Sequence, residues 1–155
     1  EYEHAAAVGL PLAKAQPIWE GDTFMLGKWL VEVILIPGHT PGGLALWEKN
    51  HGWLFTGDTV QNGSILLAGP GRSLPAFRAS IDKLRRLKAG ITRIYGAHGN
   101  LAISPDHLDD IAAVAAQMAA GELQGTTPDD PHLPRADFIQ YSNGRVHLLV
   151  LPEEK

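Results

Sequence analysis

Residues 29–36 read Trp-Leu-Val-Glu-Val-Ile-Leu-Ile, an almost unbroken apolar run stopped by Pro37 and Gly38. That length suits a strand, and the lack of alternation predicts one covered on both faces of a layered sheet. Around it, residues 18–53 fall into short runs broken at Gly21-Asp22, Gly27, Pro37-Gly38, Pro41-Gly42-Gly43 and Lys49-Asn50-His51-Gly52. Such punctuation predicts consecutive strands. Residues 44–47 and 53–56 flank the last of these breaks and predict a hairpin. Upstream, residues 1–8 followed by Gly9 and Pro11 predict the tail of a helix and its stop.

Beyond a glycine-rich stretch at residues 63–71, the period of the pattern changes. Phe77, Ile81, Leu84 and Leu87 recur at helical spacing behind Ser73, a good N-cap, with Arg78, Arg85 and Lys88 off the apolar stripe. The basic cluster at residues 83–88 is therefore expected to be a solvated helix face. Residues 91–95 predict another buried strand. Ser104-Pro105-Asp106 then offers a cap, a first-turn proline and an acidic first turn for a helix reaching about Ala120, with Leu108, Ile111, Ala115 and Met118 inward. A polar, proline-rich loop at residues 126–134 leads to a last hairpin, residues 138–141 and 146–151 around Ser142-Asn143-Gly144. Strands, helix, strand, helix and strands, without an internal repeat, predict a mixed α/β (α+β) fold.

Composition narrows the chemistry. With 155 residues, 45% hydrophobic and 19% charged, the chain has the make-up of one globular domain spanning residues 1–155. A net charge of −4 with thinly spread basic residues argues against a nucleic-acid partner. The apolar runs are too short to span a bilayer, and the opening Glu1-Tyr2-Glu3-His4 does not resemble a signal peptide, so a cytoplasmic, membrane-free setting is expected. The chain also opens without Met. Cysteine is absent, which removes disulfides, thiolate zinc sites and a cysteine nucleophile together. No G-x-S-x-G motif surrounds any serine, so a serine nucleophile elbow is unsupported.

Three times a buried run stops at a glycine and a metal-capable side chain follows: Ile36-Pro37-Gly38-His39, Phe55-Thr56-Gly57-Asp58 and Tyr95-Gly96-Ala97-His98. Glycine lets the chain turn sharply, so each side chain can lean over the strand ends. Singly, each histidine also suits a hydrogen-bonded loop position, and Asp58 an Asx turn. Together, two imidazoles and a carboxylate at one sheet edge suit zinc, manganese or iron.

The segments Pro37-Gly38-His39-Thr40-Pro41-Gly42, Phe55-Thr56-Gly57-Asp58-Thr59 and Gly96-Ala97-His98-Gly99 resemble, in order and spacing, the last three metal motifs of the metallo-β-lactamase superfamily. The resemblance covers roughly residues 18–118. It implies an αββα sandwich, of which this chain would hold mainly the C-terminal half and the end of the N-terminal half, as a single incomplete domain. It further implies two divalent metal ions, zinc or alternatively manganese or iron. His39 would bind the first, Asp58 would bridge both, and His98 would bind the second. The implied activity is hydrolysis of a small ester, thioester, lactone or phosphoester by metal-activated water.

The family's H-x-H-x-D-H motif is absent: His4, His51, His107, His132 and His147 are isolated. Its water-handling Asp, the expected general acid/base, is missing with it, and each metal keeps one terminal ligand and a share of Asp58. Reduced or empty occupancy is expected, since tight zinc sites use three or four protein ligands. Either the chain is a fragment or it borrows ligands, so self-association or pairing with a segment carrying the missing motif is expected. A catalytically incomplete binding or assembly module is the alternative function. Finally, Gly69-Pro70-Gly71-Arg72-Ser73 resembles the Gly-Cys-Gly-Arg stretch of hydroxyacylglutathione hydrolases, with Pro70 in place of Cys. That makes Arg72 a candidate substrate-binding residue, against the plainer reading of a loop and cap.

Overall fold

The apolar run at residues 29–36 lies at the centre of a five-stranded sheet, and the glycine breaks around it are the turns of that sheet. A computed structural model describes residues 16–99, 102–129, 133 and 137–152. The helix expected at residues 1–8, its stop at Gly9 and Pro11, and His4 and His132 lie outside them. The strands are β1 (Thr23–Leu26), β2 (Trp29–Leu35), β3 (Leu44–Glu48), β4 (Trp53–Gly57), β5 (Gly63–Leu66), β6 (Arg93–Gly96), β7 (Ile139–Asn143) and β8 (Val146–Val150), with helices α1 (Leu74–Leu87) and α2 (His107–Ala119). One sheet has the order β1-β2-β3-β4-β6 and the other β5-β8-β7.

Burial of β2 explains its composition. Val33 and Ile34 point to opposite faces and both are buried, so the centre of the strand is covered on each side. Coverage fails at its start, where Leu30 pairs with Met25 of the edge strand β1 and is exposed. The predicted α1 stripe of Phe77, Ile81 and Leu84 packs with Leu108, Ile111, Ala115 and Met118 of α2 in one cluster. Ile34, Ala45, Leu54 and Ile94 of the larger sheet and Ile65, Leu148 and Val150 of the smaller complete it. A smaller cluster of Ala68, Phe138, Leu149 and Leu151 covers the other side of the smaller sheet.

Several local expectations are corrected. The glycine-rich stretch contains strand β5, which pairs parallel to β8 from Gly63↔Val146 to Leu66↔Leu149; four residues after a glycine carry too little pattern to announce it. Helix α2 begins at His107, not at Ser104: residues 105 and 106 form a turn in which the Ser104 hydroxyl accepts from the Asp106 amide at 3.3 Å. In the last hairpin Asn143 closes the ladder opposite Val146, so Gly144 and Arg145 form the turn, with Gly144 at φ 61°. The basic cluster is more than a solvated face. Arg85 and Lys88 bond to Asp109 of α2, and Lys83 donates to the Leu35 carbonyl at 2.8 Å.

Topology positions the candidate ligands. β2 and β4 are each antiparallel to β3, and β6 is parallel to β4, so β2, β4 and β6 run the same way. Their C-terminal ends, after which His39, Asp58 and His98 follow, therefore share one edge of the sheet.

Candidate metal and substrate site

Each of the three side chains is presented by a turn that the surrounding packing fixes. Gly38 sits at φ 139°, and a Cβ there would lie 2.4 Å from the Phe77 Cα. Only glycine permits α1 to press this closely on the loop that carries His39. Gly71 is similarly confined by the Pro41 ring, and the Ser73 amide donates to the Gly38 carbonyl at 3.0 Å, so the His39 and Arg72 loops interlock. The Asp58 turn is closed by Thr56, whose hydroxyl donates to the Val60 carbonyl at 2.7 Å. Gly96 ends β6 where a Cβ would meet the Val60 carbonyl at 2.7 Å, which brings the His98 turn against that of Asp58.

The three candidates meet around Asp58. His39 Nε2 lies 3.5 Å from one carboxylate oxygen and His98 Nε2 lies 3.1 Å from the other. His39 Nδ1 is 2.7 Å from the Leu66 carbonyl. A carbonyl only accepts, so Nδ1 carries a proton and donates it to Leu66, which leaves Nε2 as the ring nitrogen turned toward Asp58. This is how a metal-binding imidazole is held by a second partner. Asp58 Oδ1 is buried and forms no hydrogen bond. Side-chain exposure rises from 14% at His39 through 37% at Asp58 to 72% at His98, so the site opens toward solvent on the His98 side. Among the described residues no three histidine or carboxylate side chains converge on one ion position. The arrangement is instead two histidines, each paired with a different oxygen of a shared carboxylate.

An open cavity of about 720 Å³ contains this trio together with Asn62, Ser64 and Arg72. Leu66, Leu133 and Leu149 supply its apolar wall. Arg72 reaches the same cavity from a separate loop, and its buried Nε has no hydrogen-bond partner. A second groove of about 360 Å³ lies between the helices. There Asp82, Arg85 and Asp109 already satisfy one another.

Asn62 and Ser64 carry no sequence signal of a place at the site, because the short strand β5 and the turn before it show no periodic pattern. The support behind that turn carries none either: His107, 1% exposed, donates from Nε2 to the Gln61 carbonyl at 3.2 Å, and Gln61 Nε2 donates to the Ser64 carbonyl at 2.7 Å. The other described histidines have structural partners away from the site. His51 bonds to the buried Glu48 at 2.7 Å and His147 to the Ser142 hydroxyl at 2.8 Å. Glu48 lies below the usual carboxylate range: burial opposes ionisation, but the His51 and Asn50 amides and the His51 ring outweigh it.

Comparison with known proteins bears on the family and the fold. The family model described as the metallo-β-lactamase superfamily matches residues 2–98. A hydroxyacylglutathione hydrolase of Bdellovibrio bacteriovorus is 36% identical over 80 residues, which is 51% of this chain and 30% of that protein. The acyl-coenzyme A thioesterase MBLAC2 of Gallus gallus is 28% identical over 93 residues, covering 59% of this chain and 34% of its own. The probable polyketide biosynthesis zinc-dependent hydrolase BaeB of Bacillus velezensis is 35% identical over 82 residues, covering 51% and 35%. The matched part is thus about a third of each of these relatives. In fold, a metallo-β-lactamase family protein of Thermus thermophilus superposes with a TM-score of 0.59 at 23% identity, over 73% of this chain and 39% of that one.

Proposed function

Because the chain belongs to the metallo-β-lactamase superfamily, we propose that it is the part of a metal-dependent hydrolase that contributes His39, Asp58 and His98 to a two-metal site. The carrying observation is that His39 Nε2 and His98 Nε2 meet the two oxygens of one carboxylate, with the His39 ring held from behind by the Leu66 carbonyl. Two imidazoles gathered on one carboxylate supply the nitrogen and oxygen donors that a divalent cation takes. By motif, His39 serves one metal, Asp58 both and His98 the other, and the remaining ligands and the general acid/base Asp belong to an H-x-H-x-D-H segment not found in these residues. We include pairing with such a segment, or with another copy, in the proposal, along with a single domain over residues 1–155 and a cytoplasmic setting; no helix among the described residues is long and apolar enough to cross a membrane.

Two divalent ions bound here, zinc first and manganese or iron otherwise, supply Lewis-acid activation of water for attack on a small ester, thioester, lactone or phosphoester. The chain's own residues hold and orient. Leu66 fixes the His39 proton on the nitrogen remote from the site. Arg72 presents a guanidinium to the same cavity, suited to the anionic end of a substrate, while the leucine wall takes an acyl group. The names of two relatives refer to hydroxyacylglutathione and acyl-coenzyme A, both thioesters, and this favours a thioester. A second reading, an incomplete family member that binds without catalysing, is favoured by the lack of three converging ligands among the described residues.

Zinc titration followed by histidine ring 15N chemical shifts separates these readings from a chance cluster. The metal reading expects His39 and His98 to shift together, His51, His107 and His147 to stay, and Asp58→Asn to weaken binding by about tenfold or more. Zinc shifting the other histidines instead, or Asp58→Asn binding as tightly, would reject the site. Thiol release from an acyl-glutathione then distinguishes catalysis from binding alone, and Arg72→Ala is expected to raise KM about tenfold while changing kcat little.

A further inference from the structure

Six large apolar side chains are exposed among the described residues, and five of them, Trp19, Phe24, Met25, Leu26 and Leu30, lie on or beside β1. We infer that the free edge of β1 is a homodimer interface, on which a second copy of this chain pairs its own β1 in antiparallel register through Met25.

Backbone direction supplies the first argument. Among the described residues β1 ends its sheet and pairs on one side only, with β2. The Val33 amide donates to the Asp22 carbonyl at 2.8 Å, which fixes the phase of the ladder. Hydrogen-bonding residues alternate along an antiparallel strand, so Phe24 and Leu26 also turn toward β2, while Thr23 and Met25 turn their amides and carbonyls outward. A twofold axis through Met25 therefore meets a residue already oriented to exchange both bonds with its counterpart.

Side chains supply the second. Opposite Val31 and Trp29, Phe24 and Leu26 occupy one face; opposite Leu30, Met25 occupies the other. Met25 is 63% exposed and Leu26 61%. A strand apolar on both faces gains burial above and below only from a partner that is also apolar on both faces, and β1 is itself such a strand. Proteins that keep an edge free usually place Lys or Pro along it, and Thr23-Phe24-Met25-Leu26 contains neither.

Charge supplies the third. With Met25 on the axis, Phe24 faces Leu26 of the second copy, and the Gly27-Lys28 turn of each copy comes beside Asp22 of the other. Lys28 has no ion pair among the described residues, and Asp22 uses one carboxylate oxygen on the Trp19 amide and keeps the other. Both ends of the paired strands thus place opposite charges together, as a self-complementary edge requires.

Sedimentation equilibrium over a concentration series, with amide hydrogen exchange on the same samples, tests this. The expected result is a monomer–dimer equilibrium in which the Thr23 and Met25 amides gain protection as the dimer forms, whereas those of Phe24 and Leu26 are protected throughout. Met25→Lys, which sets two ammonium groups together on the axis, and Lys28→Glu, which places a like charge beside Asp22, should each raise the dissociation constant by about tenfold or more while the far-ultraviolet spectrum is unchanged. A chain still monomeric at about millimolar concentration, or a dimer that neither variant weakens and whose Thr23 and Met25 amides exchange as in the monomer, overturns the proposal.

Discussion

His107 has no ligand role and no exposed atom to speak of, yet its position bears on the site. It sits at the start of α2, and its ring reaches the carbonyl of Gln61 in the turn between Asp58 and β5. Burial holds its pKa below the ordinary histidine value of 6.5, reinforced by Arg145 and opposed by the Gln61 bond and by Asp110. Neutral in the fold, it takes up a proton more readily when unfolded, so its contribution to stability is complete above about pH 6.5 and declines as pH falls toward the lower folded value. Melting temperature should therefore drop between about pH 7.5 and 5.5. His107→Gln, whose amide can also donate to Gln61, should flatten that slope and leave the fold intact. An unchanged slope would move the acid sensitivity to another group. Asp58 poses the opposite case: alone, an Asp after a glycine reads as an ordinary turn residue, and it stands out only with the His39 and His98 motifs, whose rings lie 3.5 and 3.1 Å from its two oxygens.

Helix α1 couples the Arg72 loop to the His39 loop, and its start tests how firmly. The Ser73 hydroxyl accepts from the Ala76 amide at 3.3 Å, while the Ser73 amide bonds to Gly38. Ser73→Ala removes only the cap and should cost about 1 kcal/mol in urea denaturation. Gly38→Ala must relieve both a positive φ and the contact with Phe77, and should cost about 3 kcal/mol or more. Equal losses would mean that the loop moves away from the helix cheaply. Elements were legible to the extent that their pattern was long. The α1 stripe, the inner face of α2 and the strand at residues 29–36 each repeat a signal over several positions, and a glycine marks each of the three turns that carry His39, Asp58 and His98. β5 was illegible because its pairing with β8 spans about eighty residues of sequence and leaves no local trace. The Gln61 and His107 support was hidden for the same reason: a buried polar contact between distant segments has no period.

Across the whole molecule, the helices are joined by charge as well as by the core. Lys88 at the end of α1 bonds to Asp106 and Asp109 at the start of α2, Arg85 bonds to Asp109, and Arg145 in the last hairpin bonds to Asp110. Basic groups close a helix C-terminus and acidic ones an N-terminus, so the seam also complements both helix dipoles. Lys88 holds the Asp106 carboxyl below its usual range, and Lys88 with Arg85 does the same for Asp109. A lowered folded pKa contributes stability that is present above the ordinary aspartate value of 3.8 and is lost as pH falls through the lower folded values. The pairs lie near the surface, so salt screens them. Lys88→Met keeps the stem and removes the charge; it should lower the melting temperature near neutral pH in dilute buffer, with the difference shrinking in about 1 M salt and again below about pH 3. A difference that persists under both conditions would show that Lys88 acts through the packing of its stem, and that the two helices are held by Phe77, Ile81, Leu84 and their partners alone.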